Sequence, residues 1–459
     1  MTMNEIIDAA FTRHRDALLA DYFELLRFPS VSSDPARLGD CARCAAWLKR
    51  YLSRLGFSVE IVLAGDQPLL IAERAGATRP PTVLFYGHYD VQPADPLELW
   101  KTPPFEPTLI DDRVYARGAQ DNKGQFFAFL AGVGALIEAG VPLPPLRILL
   151  DSQEESGSRA LHAALPDLRR RLAAHVLLVG DTGMHTSGRL AITAGLRGLS
   201  HLTVRLSGPD HDLHSGTHGG VAPNPAMALA RLIATLHDDD GRVAVPGFYD
   251  RLIPPTEEER RQANRLPFDP EAYQRETGTQ PTGGERAYNP IERGCFRPTI
   301  EVNGIQAGHT GPGTKTIIPA GAVAKLSMRL VPGQSPEGVI RLVSEHLKRH
   351  TPPGLTLEIG EAQANGPGFR LPLDSPLVRL ASGVLEQMAG EPPVFLWEGA
   401  SVPIVSALQE QTGAAPLLVG FGLGEDRIHA PNESFSLTQF QLMMRFGGLF
   451  LAELAARDA

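Results

Sequence analysis

Side chains that bind metal ions follow three apolar segments of the chain. The segment from Thr82 to Gly87 is followed by His88, the segment before Asp151 leads to Glu154 and Glu155, and the segment from Val176 to Gly180 is followed by Asp181. The pattern predicts that these segments are strands of an open α/β sheet. Because ligands bind outside the carboxyl ends of strands in such sheets, we expect these side chains to converge at one edge.

A fifth side chain, Asp121 in a glycine-containing loop, adds a further carboxylate to the predicted cluster. Several carboxylates with a histidine repel one another unless cations neutralise them. Two divalent metal ions that share one carboxylate would account for this charge. Mixed imidazole and carboxylate ligands suit zinc, our first choice, or manganese or cobalt, better than calcium.

The adjacent pair Glu154 and Glu155 suggests a division of labour, because neighbouring carboxylates point in different directions. One can bind a metal ion while the other acts as a general base. The alternative for an acidic pair is a solvated loop. We favour the functional interpretation because the pair follows a segment with the character of a buried strand.

The elements that must position these residues alternate between strand and helix patterns over the first 195 residues. Amphipathic helices are predicted from Glu5 to Leu26 and from Leu38 to Leu55, and a further helix from Gly124 to Ile137. Strand patterns lie between the helices, at 59–63, 68–72, 82–86, 146–150 and 176–179. This alternation predicts a three-layer α/β domain with a largely parallel sheet.

A different pattern begins near Arg197. Strand, helix, strand, strand, helix and strand follow one another up to Ile359, which is the ferredoxin-like order of an α+β domain. The segment 247–295 interrupts this order and is interpreted as an insertion with one short helix. The α/β pattern resumes after Asp374 and is too short to form its own core. We therefore predict a catalytic domain of residues 1–195 and 375–459, with an inserted lid and dimerisation domain of residues 196–374.

Composition limits the classes of partner. The 459 residues carry a net charge of −9, which argues against nucleic acid as a partner because the phosphate backbone is also negative. The longest apolar run, Phe126 to Ile137, is too short for a membrane span, and the N-terminus lacks the pattern of a signal peptide. We therefore expect a cytoplasmic protein without membrane contact. Cys41 and Cys44 lie on a helix pattern and are interpreted as buried thiols rather than as redox or zinc ligands.

Eight short motifs, in order along nearly the whole chain, resemble the M20 metallopeptidase family and within it the cytosolic dipeptidase and carnosinase-like branch. The motifs are GHYDVQPA from Gly87, the loop around Asp121, EESGS from Glu154, DLHSG from Asp212, GTKTIIP from Gly313, RLVP from Arg329, EGASVP from Glu398 and HAPNE from His429. Any one of these motifs is a weak signal, but eight in sequence are specific.

The resemblance implies a role for each matching residue at the metal centre. His88 and Asp181 would hold one metal ion, Glu155 and His429 the other, and Asp121 would bridge the two. It also implies a cis peptide bond after Asp121.

The resemblance further implies how the reaction proceeds. Asp90 would orient the imidazole of His88 through a hydrogen bond, and Glu154 would be the general base. His214 would stabilise the oxyanion and, in a homodimer formed through the inserted domain, would reach the partner's site. Three more residues resemble the groups that hold the terminal carboxylate of the substrate: Thr316, Arg329 and Ser401. Asp90 is also typical of a turn, and Arg329 of a solvated strand edge.

The resemblance thus predicts a dinuclear metal-dependent exopeptidase that hydrolyses dipeptides or very short peptides. The first alternative is an amidohydrolase of the same family that removes an acyl group from an amino acid. The long segment 247–295 favours the dipeptidase, because the deacylase branches usually have a shorter inserted domain. The second alternative is a non-catalytic binding protein, which we disfavour because every predicted ligand and the base are present.

Overall fold

The computed structural model of the protein describes residues 2–76, 81–399 and 402–456. The chain forms two compact units. Unit 1 comprises Met1–Ala194, Leu371–Leu396 and Ile404–Ala459, and unit 2 comprises Gly195–Arg370 and Trp397–Pro403. These ranges lie near the predicted boundaries at residues 196 and 374. The roles that we predicted for the two domains stay predictions.

The first segment of unit 1 alternates helices with strands. Its elements are α1 (Met3–Leu26), α2 (Leu38–Arg54), β1 (Ser58–Ala64), β2 (Gln67–Arg74), β3 (Val83–His88), β4 (Thr108–Ile110), β5 (Arg113–Tyr115), α3 (Lys123–Glu138), β6 (Leu146–Asp151), α4 (Arg159–Leu172), β7 (Val176–Val179) and β8 (Ala191–Leu196). A 3₁₀ turn, Glu154–Ser156, follows β6. Helix α1 begins with a capping box, in which Thr2 and Glu5 each satisfy a free backbone N–H of the first turn.

Unit 2 contains the inserted segment of the chain. Its elements are β9 (Gly198–Ser207), β10 (Leu213–His214), α5 (Ser215–His218), α6 (Pro225–Ala234), α7 (Glu257–Ala263), α8 (Pro270–Thr277), α9 (Pro290–Phe296), β11 (Thr299–Ala307), β12 (Ile317–Ile318), β13 (Gly321–Leu330), α10 (Pro336–His350), β14 (Thr356–Gly366) and β15 (Phe369–Arg370).

The last segment of the chain returns to unit 1, apart from Trp397–Pro403, which belong to unit 2. Its elements are α11 (Pro376–Ala389), β16 (Val394–Glu398), α12 (Pro403–Thr412), β17 (Ala415–Leu418), β18 (Ser434–Ser436) and α13 (Leu437–Ala456). Helix α13 packs against α3 and α1, and α11 packs against α13 and β17. Strand β17 pairs in parallel with β7 and is therefore part of the main sheet of unit 1.

The main sheet of unit 1 has the strand order β1-β2-β6-β3-β7-β17. The pairs β3–β6, β3–β7 and β7–β17 are parallel, whereas β1–β2 and β2–β6 are antiparallel. Strand β3 is buried along its whole length, as expected for a central parallel strand covered on both faces. The carboxyl ends of β3, β6 and β7 consequently meet at one edge of the sheet.

Unit 2 is built on a four-stranded antiparallel sheet with the order β11-β13-β9-β14. Helices α6 and α10 pack against this sheet and enclose an apolar core that includes Leu202, Leu229 and Val343. The order corresponds to the predicted ferredoxin-like arrangement, and the predicted fold class is confirmed. The expectation of one short helix in 247–295 was wrong, because the segment contains α7 and α8 and most of α9. Each begins with a Thr, Asp or Asn side chain that caps its first turn.

Candidate metal centre

His88 and His429 face a common carboxylate, that of Asp121. The Nε2 atom of His88 lies 3.1 Å from Oδ1 of Asp121, and Nε2 of His429 lies 2.9 Å from Oδ2. The two oxygens of one side chain are thus directed at two imidazoles that are more than 300 positions apart in the sequence. This is the arrangement that a carboxylate shared between two cations requires.

Each imidazole has a second carboxylate within reach. Nε2 of His88 lies 3.5 Å from Oδ2 of Asp181, and Nε2 of His429 lies 3.3 Å from Oε2 of Glu155. Two three-residue groups result, and in each the potential ligand atoms lie within 4.8 Å of one another. Asp121 belongs to both groups.

The sheet explains how distant residues meet. His88 is the last residue of β3 and pairs with Asp151, the last residue of β6. The 3₁₀ turn that contains Glu155 follows β6, and Asp181 follows β7 by two residues. These positions lie at the carboxyl ends of neighbouring parallel strands, where we expected the site. His429 is brought there by the loop before β18 and adopts a φ of 59°.

Asp90 connects one imidazole to the loop that carries the adjacent glutamates. Its backbone oxygen accepts a hydrogen bond from Nδ1 of His88 at 3.1 Å, and its Oδ1 lies 3.3 Å from the same nitrogen. Its carboxylate accepts hydrogen bonds from the backbone N–H groups of Glu154 and Glu155, each at 3.1 Å. The hydroxyl of Ser32 also donates to it, at 2.6 Å. Asp90 is fully buried. It therefore fixes both the ring of His88 and the turn that carries the predicted base.

The electrostatics of Glu154 differ from those of an ordinary surface carboxyl. Burial raises the pKa of Glu154 well above its usual value, and the charges of Asp181 and Glu155 raise it further against the opposing effect of His88. Burial, together with the charge of Asp121, also raises the pKa of Glu155 to about 7. Raised pKa values of this kind are typical of groups that take up and release protons in catalysis.

The pKa values of Asp121 and His429 are shifted in opposite directions by their mutual contact. Burial alone would raise the pKa of Asp121, but hydrogen bonds from His429 and His88 hold that pKa below its usual range. The same contacts with Asp121 and Glu155 raise the pKa of His429 to about 10. Four carboxylates lie around the imidazoles of His88 and His429, namely those of Asp90, Asp121, Glu155 and Asp181. Divalent cations in place of protons would balance this negative charge. The nitrogen and oxygen donors fit zinc or a neighbouring first-row metal.

Asn122 was not singled out from the sequence, yet it holds a predicted ligand. Its Nδ2 donates to Oδ1 of Asp181 at 2.7 Å and to the backbone oxygen of Gly180 at 2.8 Å, and its Oδ1 accepts from the backbone N–H of His88 at 3.3 Å. The peptide bond between Asp121 and Asn122 is cis, as predicted. Direct adjacency to Asp121 was the one signal in the sequence that could have identified Asn122.

The other predicted site residues lie in unit 2. His214 and Thr316 are exposed. They lie close together because β10, which ends at His214, pairs with β12, which follows Thr316 directly. Nδ1 of His214 accepts a hydrogen bond from the backbone N–H of Gly216 at 3.1 Å, which leaves the ring proton of the neutral imidazole on Nε2. Arg329 is half-buried on β13, and burial lowers its pKa. Ser401 lies outside the described residues.

Cys41 and Cys44 were interpreted from the sequence as buried thiols, and their burial and pKa values test that interpretation. Cys41 and Cys44 on α2 are fully buried free thiols, and burial raises the pKa of Cys41 to about 12 and that of Cys44 to about 11. A thiol of this kind is unreactive, because the thiolate is the nucleophile and metal ligand. The interpretation as buried thiols is confirmed.

In the described part of the chain, no helix has both the length and the apolar character that a membrane crossing requires.

Fold and site together define a two-unit α/β protein with a candidate dinuclear metal centre. A model of peptidase family M20/M25/M40 matches residues 84–453, which is most of the chain. The chain belongs to this family, and the predicted resemblance is confirmed.

The chain is also similar to individual members over most of its length. It is 30% identical to Beta-Ala-His dipeptidase of Homo sapiens, covering 93% of this chain and 87% of that protein. It is 30% identical to the Cys-Gly metallodipeptidase DUG1 of Candida albicans, covering 90% of each chain. It also resembles the crystal structure of the M20 family metallo-carboxypeptidase Sso-CP2 from Sulfolobus solfataricus, with 30% identity, a TM-score of 0.85 and coverage of 95% and 99% of the two chains.

Proposed function

We propose that this protein is an exopeptidase that uses two divalent metal ions to hydrolyse dipeptides or very short peptides. The observation that carries the proposal is the carboxylate of Asp121, whose two oxygens face His88 and His429. The similarity to two dipeptidases supports the substrate class.

In this proposal, His88 and Asp181 would hold one metal ion, Glu155 and His429 would hold the other, and Asp121 would be shared by both. When bound, two such cations polarise the scissile carbonyl and lower the pKa of the attacking water. Zinc is our first choice, with manganese and cobalt as alternatives, because imidazole nitrogen and carboxylate oxygen suit all three.

Glu154 is the general base of the proposed reaction. Its raised pKa suits a group that removes a proton from water and later delivers it to the leaving amine. Asp90 positions this residue through the backbone of the 3₁₀ turn, and its backbone oxygen, which accepts from Nδ1 of His88, fixes the tautomer of that ring. Each proton step then begins from a group that is already in place.

Residues of unit 2 supply substrate contacts in the proposal. His214, with its proton on Nε2, donates a hydrogen bond to the oxyanion, and a homodimer through unit 2 would allow it to serve the partner's site. Three residues bind the terminal carboxylate of the substrate: Thr316, Arg329 and Ser401. Arg329 suits this role because a guanidinium pairs with a carboxylate through two parallel hydrogen bonds. A cytoplasmic location is part of the same proposal.

A substrate panel tests the proposal. The protein, loaded separately with Zn²⁺, Mn²⁺ or Co²⁺, is assayed with dipeptides, tripeptides, and N-acetyl and N-succinyl amino acids. We expect the highest kcat/KM for dipeptides and a decline with chain length, because the terminal carboxylate must lie near the scissile bond. Turnover confined to the acylated amino acids would instead make the protein a deacylase.

A further inference from the structure

Glu433 is a buried carboxylate that contacts the loop of Asp121. Its Oε1 accepts hydrogen bonds from the backbone N–H groups of Gln120 and Asp121, both at 3.0 Å. Its Oε2 accepts from the backbone N–H of Gly118 at 2.9 Å and from Nη1 of Arg117 at 2.7 Å. The side chain is fully buried. One carboxylate therefore satisfies four donors of the loop that ends in the proposed bridging residue.

The same residue belongs to the segment that carries the other histidine. Glu433 follows His429 by four residues and immediately precedes β18. Its backbone oxygen accepts from the N–H of Ala116 at 3.1 Å, and β18 pairs with β5. Main chain and side chain of Glu433 thus fasten the His429 segment to the Asp121 loop, although 312 positions separate Glu433 from Asp121.

Arg117 provides the balancing charge. It is 1% exposed, donates through Nη2 to the backbone oxygen of Pro93 at 3.1 Å, and lies over the ring of Trp100 with a distance of 5.4 Å to its centroid. A buried charge without a partner is strongly unfavourable, and here the guanidinium and the carboxylate compensate each other. All four donors to the carboxylate of Glu433 lie within 3.0 Å of its two oxygens.

We propose that Glu433 is a positioning residue that sets the distance between Asp121 and His429 and thereby the affinity for the two metal ions. This inference rests on the metal centre of the proposed function. Glu433 touches neither the proposed ligands' side-chain atoms nor the substrate in this account. It acts through the backbone of the Asp121 loop, as partners behind metal ligands commonly do.

The physical reason can be tested with an isosteric change. In Glu433→Gln, the side-chain NH₂ group must face backbone N–H groups or the guanidinium, so at least one buried donor loses its acceptor. The Asp121 loop would shift, and the two oxygens of Asp121 would no longer fit both cations. Changes of this kind weaken metal binding by roughly 10- to 100-fold.

The experiment measures Zn²⁺ affinity of the full-length apoprotein by competition with a chromophoric chelator, without substrate. Glu285→Gln is the matched control. Glu285 is another buried glutamate, paired with both Nε and Nη2 of Arg297 at 2.9 Å, but it lies in unit 2 and is no proposed ligand. We expect Glu433→Gln to weaken Zn²⁺ binding by about tenfold or more. The control should bind Zn²⁺ as the unmodified protein does.

A double variant keeps the test decisive if Glu433→Gln fails to fold. Arg117→Met combined with Glu433→Gln removes the buried guanidinium together with its counter-charge, so no buried charge is left unpaired. The amides of Gly118, Gln120 and Asp121 still lose the carboxylate, and weakened Zn²⁺ binding is again expected. The spectrum of bound Co²⁺ should also change, since it reports the ligand geometry directly.

Two results would overturn the inference. One is unchanged Zn²⁺ affinity in a folded Glu433 variant, and the other is an equal loss of affinity in Glu285→Gln, which would indicate a general loss of stability. Neither depends on peptide hydrolysis. An inactive but metal-binding protein would reject the proposed function and leave this inference standing.

Discussion

Two histidines, the proposed ligand His88 in unit 1 and the proposed substrate contact His214 in unit 2, are held in opposite ways. His88 is 1% exposed, and both of its ring nitrogens have partners: Nδ1 faces the backbone and side-chain oxygens of Asp90, and Nε2 faces the carboxylate of Asp121. The side chain of Asn122 accepts a hydrogen bond from the backbone N–H of His88. His214 is exposed, and its ring is held by a local hydrogen bond from Gly216. A metal centre needs fixed ligands before the ion arrives, because its distances allow little error. A residue that contacts the substrate can be ordered when the substrate binds.

The comparison separates two functions. Metal binding is expected to be a property of unit 1 alone, whereas turnover is expected to need His214 and Arg329 as well. Substitutions in unit 2 should therefore reduce activity with metal content unchanged. Substitutions among the ligands of unit 1 should reduce both.

Glu154→Gln tests whether turnover can be lost within unit 1 while metal binding is kept, and it has the largest expected effect. We expect kcat to fall by about 10²- to 10⁴-fold, because amide cannot accept the proton from water. The metal content of the purified variant should equal that of the unmodified protein. Glu155→Gln, the adjacent control, should lose metal. Full turnover in Glu154→Gln would reject the base assignment.

His214→Ala should reduce kcat by about 10²- to 10³-fold, the range for loss of one donor to an oxyanion. Zn²⁺ content, measured by elemental analysis, should stay constant. His211→Ala is the control on the same loop, since the side chain of His211 is 72% exposed. A loss of Zn²⁺ in His214→Ala would instead make His214 part of the metal centre and remove the contrast between the units.

Arg329→Met should act mainly on KM. A hydrogen bond to a charged partner contributes about 1.5–3 kcal/mol, so KM for a dipeptide should rise roughly tenfold or more. An amidated dipeptide, which lacks the terminal carboxylate, should show no such difference between variant and unmodified protein. Arg205→Met in the same sheet, at an exposed ion pair with Glu361, is the control. An equal rise in KM for the amidated substrate would contradict the proposed contact.

Ser32→Ala should have the smallest effect. It removes the donor that lies 2.6 Å from Asp90, while both backbone donors to Asp90 remain. We expect a loss of about 1 kcal/mol in the free energy of unfolding, measured with urea, and a modest fall in kcat. A fall in kcat as large as that of Glu154→Gln would show that we have underestimated the role of Ser32.

Much of the fold was readable from the sequence because its strands and helices have strong periodic patterns. The buried strand β3 and the amphipathic helix α2 lie where they were predicted. Short elements escaped prediction, because β4 and β5 have three residues each and carry too few side chains to show a period. Helix α13 was also not predicted, because it is buried around most of its circumference and its sequence therefore shows little contrast between an apolar and a polar face.

The proposed ligands and Asp90 were identified from motifs, whereas no role was predicted for two other residues behind the ligands, Asn122 and Glu433. Asn122 and Glu433 act on side chains and amides that are distant in the sequence, and their residue types are common in loops. Their roles depend on which backbone groups face them, which is a property of the tertiary structure. Hydrogen bonds of this kind become visible only when the loops have been brought together.

The number of metal ions bound per chain decides whether the proposed dinuclear centre exists. Apoprotein is equilibrated with Zn²⁺, freed of loosely bound metal and analysed, together with His429→Ala and the double variant His88→Ala/His429→Ala. We expect two ions per chain in the unmodified protein, one in His429→Ala and none in the double variant. Two ions retained in the double variant, or none bound by the unmodified protein, would contradict this expectation.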